Sequence, residues 1–191
     1  MFPSRTLLFA IAALSTTLLA EDFGPAVQAA KQAFPGRTHF GVVCNYSQSN
    51  PTVADLIRAL PDEAVLTVFD ARNPTQVNIA AAMLVLRDVK VVALLPQDPL
   101  VREGSPLATH LLNLVRAYND TIPAFGTSPA AVKNGCVFAL GAKTNWKLLV
   151  NPNDPRKGVI EDITITREPV ARISSGTRPN SVKVQVVAMG R

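Results

Sequence analysis

Short apolar runs rich in β-branched residues alternate with longer amphipathic stretches along most of this chain. Pro25 to Phe34 predicts a first helix, broken by Pro35-Gly36, and H-F-G-V-V-C (His39 to Cys44) then reads as a buried strand. Asn50 is the expected helix cap, Pro51 the first helical position, and Val53, Leu56, Ile57 and Leu60 recur at helical spacing behind them. A second strand is expected over Ala64 to Asp70 and a helix from Pro74 to about Arg87. A third strand follows over Val89 to Pro96, then a helix carrying Leu107, Leu111, Leu114 and Tyr118. Ile122 to Gly126 predicts the fourth strand. Ser128, Pro129 and Gly135 mark cap, first turn and end of a short helix, and C-V-F-A-L-G supplies a fifth strand.

Five such strands separated by helices predict an α/β fold: a flavodoxin-like five-stranded parallel sheet in the order 2-1-3-4-5, with helices on both faces. The pattern changes after Asn151. Ile163 to Arg167 and Val182 to Val186 alternate with period two, so residues 151–191 are expected to form a β-rich C-terminal extension, either lengthening the sheet edge or making a hairpin beside it.

The first twenty residues change the picture of where this domain works. One basic residue, Arg5, precedes an apolar run from Leu7 to Ala20, and acids follow at Glu21 and Asp22. That is the pattern of a secretory signal peptide cleaved near Ala20. An uncleaved anchor is the alternative, but the run is shorter than a bilayer span and is diluted by Ser15, Thr16 and Thr17. The expected product is periplasmic or secreted, does not span a membrane once processed, and keeps residues 21–150 as a single α/β lobe with a core of its own.

The formal net charge is +5, concentrated in the extension. Without interleaved aromatics it makes a poor nucleic-acid platform. The two cysteines, Cys44 and Cys136, are expected at opposite edges of the sheet as buried free thiols, although one disulfide is open to an exported pair.

In an open parallel sheet, ligands bind beyond the carboxyl ends of the strands. The turns reaching that rim hold Asn45, Tyr46, Ser47 and Ser49 after the first strand, Asp70 after the second, Gln97 and Asp98 after the third, and Gly126, Thr127 and Ser128 after the fourth. Each turn opens a helix whose free N–H groups favour an anion or a polar group. Asn50, Asn73 and Ser128 are also sufficiently explained as caps. No catalytic motif or metal-ligand spacing occurs, both histidines lie off the rim, and Cys44 has no histidine beside it in the pattern, so no catalysis, cofactor or metal is expected. Asp70 and Asp98 recur as strand-end carboxylates of the kind that hold a cation in receiver-like domains. The Ser47/Ser49/Thr52 loop is the only feature favouring a flavodoxin-like cofactor, and it lacks a phosphate-wrapping glycine.

Three stretches carry a family likeness. F-G-V-V-C-N-Y-S-Q-S-N-P, A-L-L-P-Q-D-P-L-V and I-P-A-F-G-T-S-P-A-A-V-K-N-G-C-V-F-A-L-G together resemble ABC-transporter substrate-binding proteins of the type I periplasmic-binding-protein fold. In the last stretch Ile122, Pro123, Gly126, Val132, Lys133, Gly135 and Gly141 match in order and spacing. The resemblance covers roughly residues 38–142. It implies that the loop Asn45 to Asn50, the turn at Gln97 and Asp98, and Gly126 to Ser128 face a ligand. Members of that family are two-lobed and about twice this length, and A-K-T-N-W-K-L-L-V-N-P replaces their glycine-containing helix. The expected function is an exported, non-catalytic binding protein, one lobe only, taking a small polar or anionic ligand at the rim. Two copies facing each other as a homodimer would rebuild the second lobe. The alternative is an envelope interaction module with a vestigial ligand site, whose partner is an envelope protein.

Overall fold

The computed structural model describes residues 22–141, 147–163, 165 and 181–189. The expected signal peptide therefore lies outside the described residues, as does most of the expected strand Ile163 to Arg167. Among the described residues, no helix is long and apolar enough to cross a membrane.

The order of elements is α1 (Gly24–Ala33), β1 (His39–Cys44), α2 (Tyr46–Ala59), β2 (Val65–Asp70), α3 (Pro74–Leu86), β3 (Val91–Ala93) and α4 (Pro106–Tyr118). There follow β4 (Ala124–Gly126), α5 (Pro129–Asn134), β5 (Phe138–Leu140), β6 (Leu148–Val150), α6 (Lys157–Glu161) and β7 (Lys183–Ala188). The strands form one mixed sheet in the order β6-β5-β4-β3-β1-β2-β7. All neighbours are parallel except β5 and β6, which run antiparallel.

Side-chain alternation explains why a parallel sheet forms here. Phe40, Val42, Cys44, Leu66 and Val68 point to one face, where α1, α2 and α6 cover them through Val27, Val53, Leu56 and Ile160. Val43, Phe69, Val92 and Leu94 point to the other, under Val77, Leu84, Leu111 and Ala131 of α3, α4 and α5. Both faces are buried, so the strands carry continuous apolar runs.

Four sequence expectations need correction. The five expected strands keep the order 2-1-3-4-5 and β7 lengthens the edge beyond β2, one of the two arrangements expected of the extension, but L-L-V, expected as no strand, pairs backwards onto β5 and brings the sheet to seven. The extension therefore supplies a sheet edge, and Lys157–Glu161 within it is helical. Ile163 and Ile165 lie in no strand and pack against the core. The third strand is ladder-paired only over Val91–Ala93, because the chain bends away at Leu95 to bridge Arg102.

The fourth correction bears on the site. Helix α2 begins at Tyr46, with Asn45 as its extended N-cap residue, and Pro51 stands inside it. The Asn45 carbonyl accepts from the N–H groups of Gln48 at 3.0 Å and Ser49 at 2.9 Å, which starts the helix five residues before the local Asn-Pro signal.

Candidate functional site

The rim at the carboxyl ends of the strands is assembled by three buried or nearly buried carboxylates. Asp98, 1% exposed, stands in the turn after β3. Its Oδ2 accepts from the Asn45 N–H at 2.9 Å and from the Ser49 hydroxyl at 2.6 Å. Its Oδ1 accepts from the Leu100 N–H at 2.8 Å and from the Val101 N–H. One side chain thus ties two loops that are far apart in sequence. It also holds Ser49 inside the protein, at 3% exposure.

Asp70, at the end of β2, accepts the Tyr46 N–H at 3.0 Å through Oδ1 and meets Arg72 Nη2 at 3.2 Å through Oδ2. Two of the N–H groups at the start of α2, those of Asn45 and Tyr46, are therefore met by carboxylates from the strand ends on either side of β1. Their negative charge offsets the dipole that makes such a terminus attractive to an anion.

Glu103, 8% exposed, does the same for the turn after β4. Its Oε1 accepts from the Thr127 N–H at 2.6 Å and the Thr127 hydroxyl at 3.2 Å, and its Oε2 accepts from the Ser128 hydroxyl. Gly126 permits this approach, since a Cβ there would lie 2.7 Å from Glu103 Oε1 and collide with the Ala131 Cβ. Burial raises the Glu103 carboxyl above its ordinary range, and the bonds from Ser128 and Thr127 pull it back only partly. Ser128 is thus the N-cap residue of α5 by position, but its side chain makes no cap bond. Asn73 does cap α3 as expected, accepting the Gln76 N–H at 2.9 Å.

The structure thus brings Asn45, Tyr46, Ser49, Asp70 and Asp98 into one network, and Gly126, Thr127 and Ser128 into a second around Glu103. Ser47 is exposed and donates to Asn45 Oδ1 at 2.8 Å. Gln97 is exposed beside Asp98. Arg72 adds a cation whose side chain is 67% exposed. Among the described residues, no buried side-chain nitrogen or oxygen lacks a hydrogen-bond partner.

The remaining chemistry-bearing residues are two cysteines and two histidines. Cys44 and Cys136 are both free and buried. They lie on opposite faces of the sheet, Cys44 at the end of the interior strand β1, so the expected placement at opposite edges is corrected. Burial pushes the Cys44 thiol far up, and Asp98 and Asp70 push it further. Burial also raises Cys136, with Glu103 adding to it and Arg116 opposing. His39 lies at the other end of β1, its Nε2 2.8 Å from Thr67 Oγ1, and His110 contacts Asn78 on an exposed helix surface. Among the described residues, no group of three or more His, Cys, Asp or Glu is placed to hold a metal.

Sequence reasoning missed Glu103, because an acid two residues before a helix cap looks like surface. It also missed Asn134, which is buried and bonds the Ser105 carbonyl at 2.9 Å and the Thr109 hydroxyl at 2.8 Å. The signal available for Asn134 was its place just before the left-handed Gly135, φ +105°, where a helix end must find side-chain partners.

Comparison with protein-family models, with curated proteins and with solved structures finds no match to this chain.

Proposed function

We propose that the chain is an exported, non-catalytic binding module, comparable to one lobe of an ABC-transporter substrate-binding protein, and that it presents the strand-end rim to a small polar ligand. The observation that carries this reading is the locking of three rim loops by Asp98, Asp70 and Glu103. Loops held by buried carboxylates keep their outward groups fixed, which lowers the entropy that binding must overcome.

The outward groups are Ser47, Gln97 and the Arg72 guanidinium, with Asn45 half-buried beside them and Tyr46 half-buried against the core. Internal carboxylates at the start of α2 disfavour an anion there, so within the polar or anionic class the ligand at this rim is polar and uncharged, or presents a group that Arg72 can pair. A single lobe leaves one side of the ligand open, and a second copy facing the rim would close it.

A second reading has its own support. Val184 and Val186 on the edge strand β7 are 41% and 47% exposed, which favours an envelope interaction module working through the C-terminal strand. A thermal-shift panel of amino acids, purines, sugars and small carboxylates separates the two. The first reading expects one class to raise Tm saturably, because a ligand at a hundredfold its Kd stabilises by about 2.7 kcal/mol. Silence across the panel sinks it in favour of the second.

A further inference from the structure

At the amino ends of the parallel strands, opposite the rim, Arg37, Lys90, Arg116 and Arg156 stand among the carboxylates of Asp88, Asp120 and Asp154. Two cavities open there. One, of about 350 Å³, is lined by Gly36, Arg37, Asp88, Lys90 and Thr121 among others. The other, of about 600 Å³, is lined by Arg116, Asp120, Lys133, Asp154 and Arg156 among others. The Asp120-Thr121 turn separates them.

Arg37 and Arg156 approach that turn from either side. Arg37 lies over the Phe34 ring, 5.6 Å from its centroid, and its Nη1 donates to the carbonyls of Lys90 at 3.1 Å and Thr121 at 2.7 Å. Arg156 Nη1 reaches the carbonyls of Asp120 and Thr121, each at 3.5 Å. Two guanidinium groups therefore converge on the single carbonyl oxygen of Thr121.

Their charges are not equally met. Arg156 holds Asp154 in a two-pronged pair, with Nε and Nη2 each 2.8 Å from a carboxylate oxygen. Lys90 is paired with Asp88. Arg37 has no acidic partner among the described residues, and its Nε and Nη2 hydrogens find no acceptor there. Burial lowers the Arg37 pKa from its ordinary value, and the neighbouring Arg156 charge lowers it further. A half-buried guanidinium, anchored by two carbonyls and set beside a second one, is an arrangement that a bound anion relieves.

We propose that Arg37, with Arg156 beside it, forms a site for a small oxyanion, a phosphate or carboxylate group, over the Asp120-Thr121 turn. Carbonyls and the Phe34 ring pre-set the plane of the Arg37 fork, and its free Nε and Nη2 edge matches two oxygens of such a group. Arg156 contributes charge and its remaining Nη2 hydrogen, while Asp154 keeps it in place. This site is independent of the strand-end rim and of the ligand proposed there.

Titration of inorganic phosphate, followed by phosphorus NMR line width at an ionic strength held constant with chloride, tests it. The intact chain is expected to give saturable broadening. Arg37→Gln raises the apparent Kd about tenfold or more, since it removes a charge-assisted pair of donors. Arg37→Lys, which keeps the charge without the fork, falls between them and covers the case of Arg37→Gln failing to fold. Lys31→Gln, exposed on α1, leaves the affinity unchanged. Displacement of phosphate by millimolar acetate assigns the site to carboxylates as well, and resistance to acetate assigns it to phosphate. Absence of saturable broadening with the intact chain, or equal affinity in the intact chain and the Arg37 variants, overturns the proposal.

Discussion

The Asp98 carboxylate accepts the backbone N–H of Asn45 at 2.9 Å across 53 residues of sequence, and in doing so decides where α2 begins. The same carboxylate takes the Ser49 hydroxyl and two further N–H groups from its own turn.

Removing that acceptor strands several buried donors at once. Each costs about 1–3 kcal/mol when left unpaired, less where water reaches it. Asp98→Ala is therefore expected to lower unfolding free energy by about 3 kcal/mol or more in urea titration. Asp98→Asn, which keeps one acceptor oxygen, costs roughly half as much. Asn45→Ala costs far less, because the donor is the backbone and survives the substitution. A loss below about 1 kcal/mol for Asp98→Ala contradicts the latch.

Two other carboxylates give opposite pH dependences. Glu103 titrates above its ordinary value of 4.5 in the folded chain. Between those two values the folded state retains a proton that the unfolded state has lost, so stability falls as pH rises through that interval and is full below it. For Asp154 burial acts to raise the pKa, but the hydrogen bonds from Arg156 outweigh it and hold the group below its ordinary 3.8. Its contribution is present above that value and is lost as pH falls through the folded one. Tm measured from pH 3 to 8 is expected to show Glu103→Gln losing the decline on the alkaline side of 4.5, and Asp154→Asn losing part of the decline in acid. Comparing each variant with the parent isolates these groups from His39, which burial holds below its ordinary 6.5 and which loses stability as pH falls. An unchanged profile for Glu103→Gln contradicts the assignment.

The thiols supply a check on the proposed non-catalytic reading. Cys44 and Cys136 are buried on opposite faces of the sheet with raised pKa values, and the thiolate is the reactive form. Neither is expected to react with an aromatic disulfide reagent at pH 8 until the protein unfolds, when both do. Rapid modification of Cys44 in the folded protein would sink the non-catalytic reading.

The parts of this fold legible in the sequence are those decided locally. Apolar runs marked the five inner strands because both faces of each are buried, and Asn73 was recognisable because its partner is three residues away. The start of α2 was misplaced because Asn50-Pro51 is a complete local signal, while the true start depends on Asp70 and Asp98, 24 and 53 residues distant. Strand β6 escaped because three residues of L-L-V carry no period of their own and are strand only by pairing with β5. The rim's polar residues were correctly gathered at one end of the sheet. What spacing concealed is that Ser49, Thr127 and Ser128 bond to carboxylates of the same chain. Glu103, with partners 24 and 25 residues away, has no local signature.

An amide-resolved NMR titration of the chain with pooled amino acids, purines, sugars and small carboxylates tests the rim most directly. The account predicts saturable shifts at Asn45, Tyr46, Ser47 and Gln97 with one uncharged or Arg72-pairing class, and loss of those shifts in Gln97→Ala. Saturable shifts confined to other surfaces, or none at the rim with any pool, would contradict it.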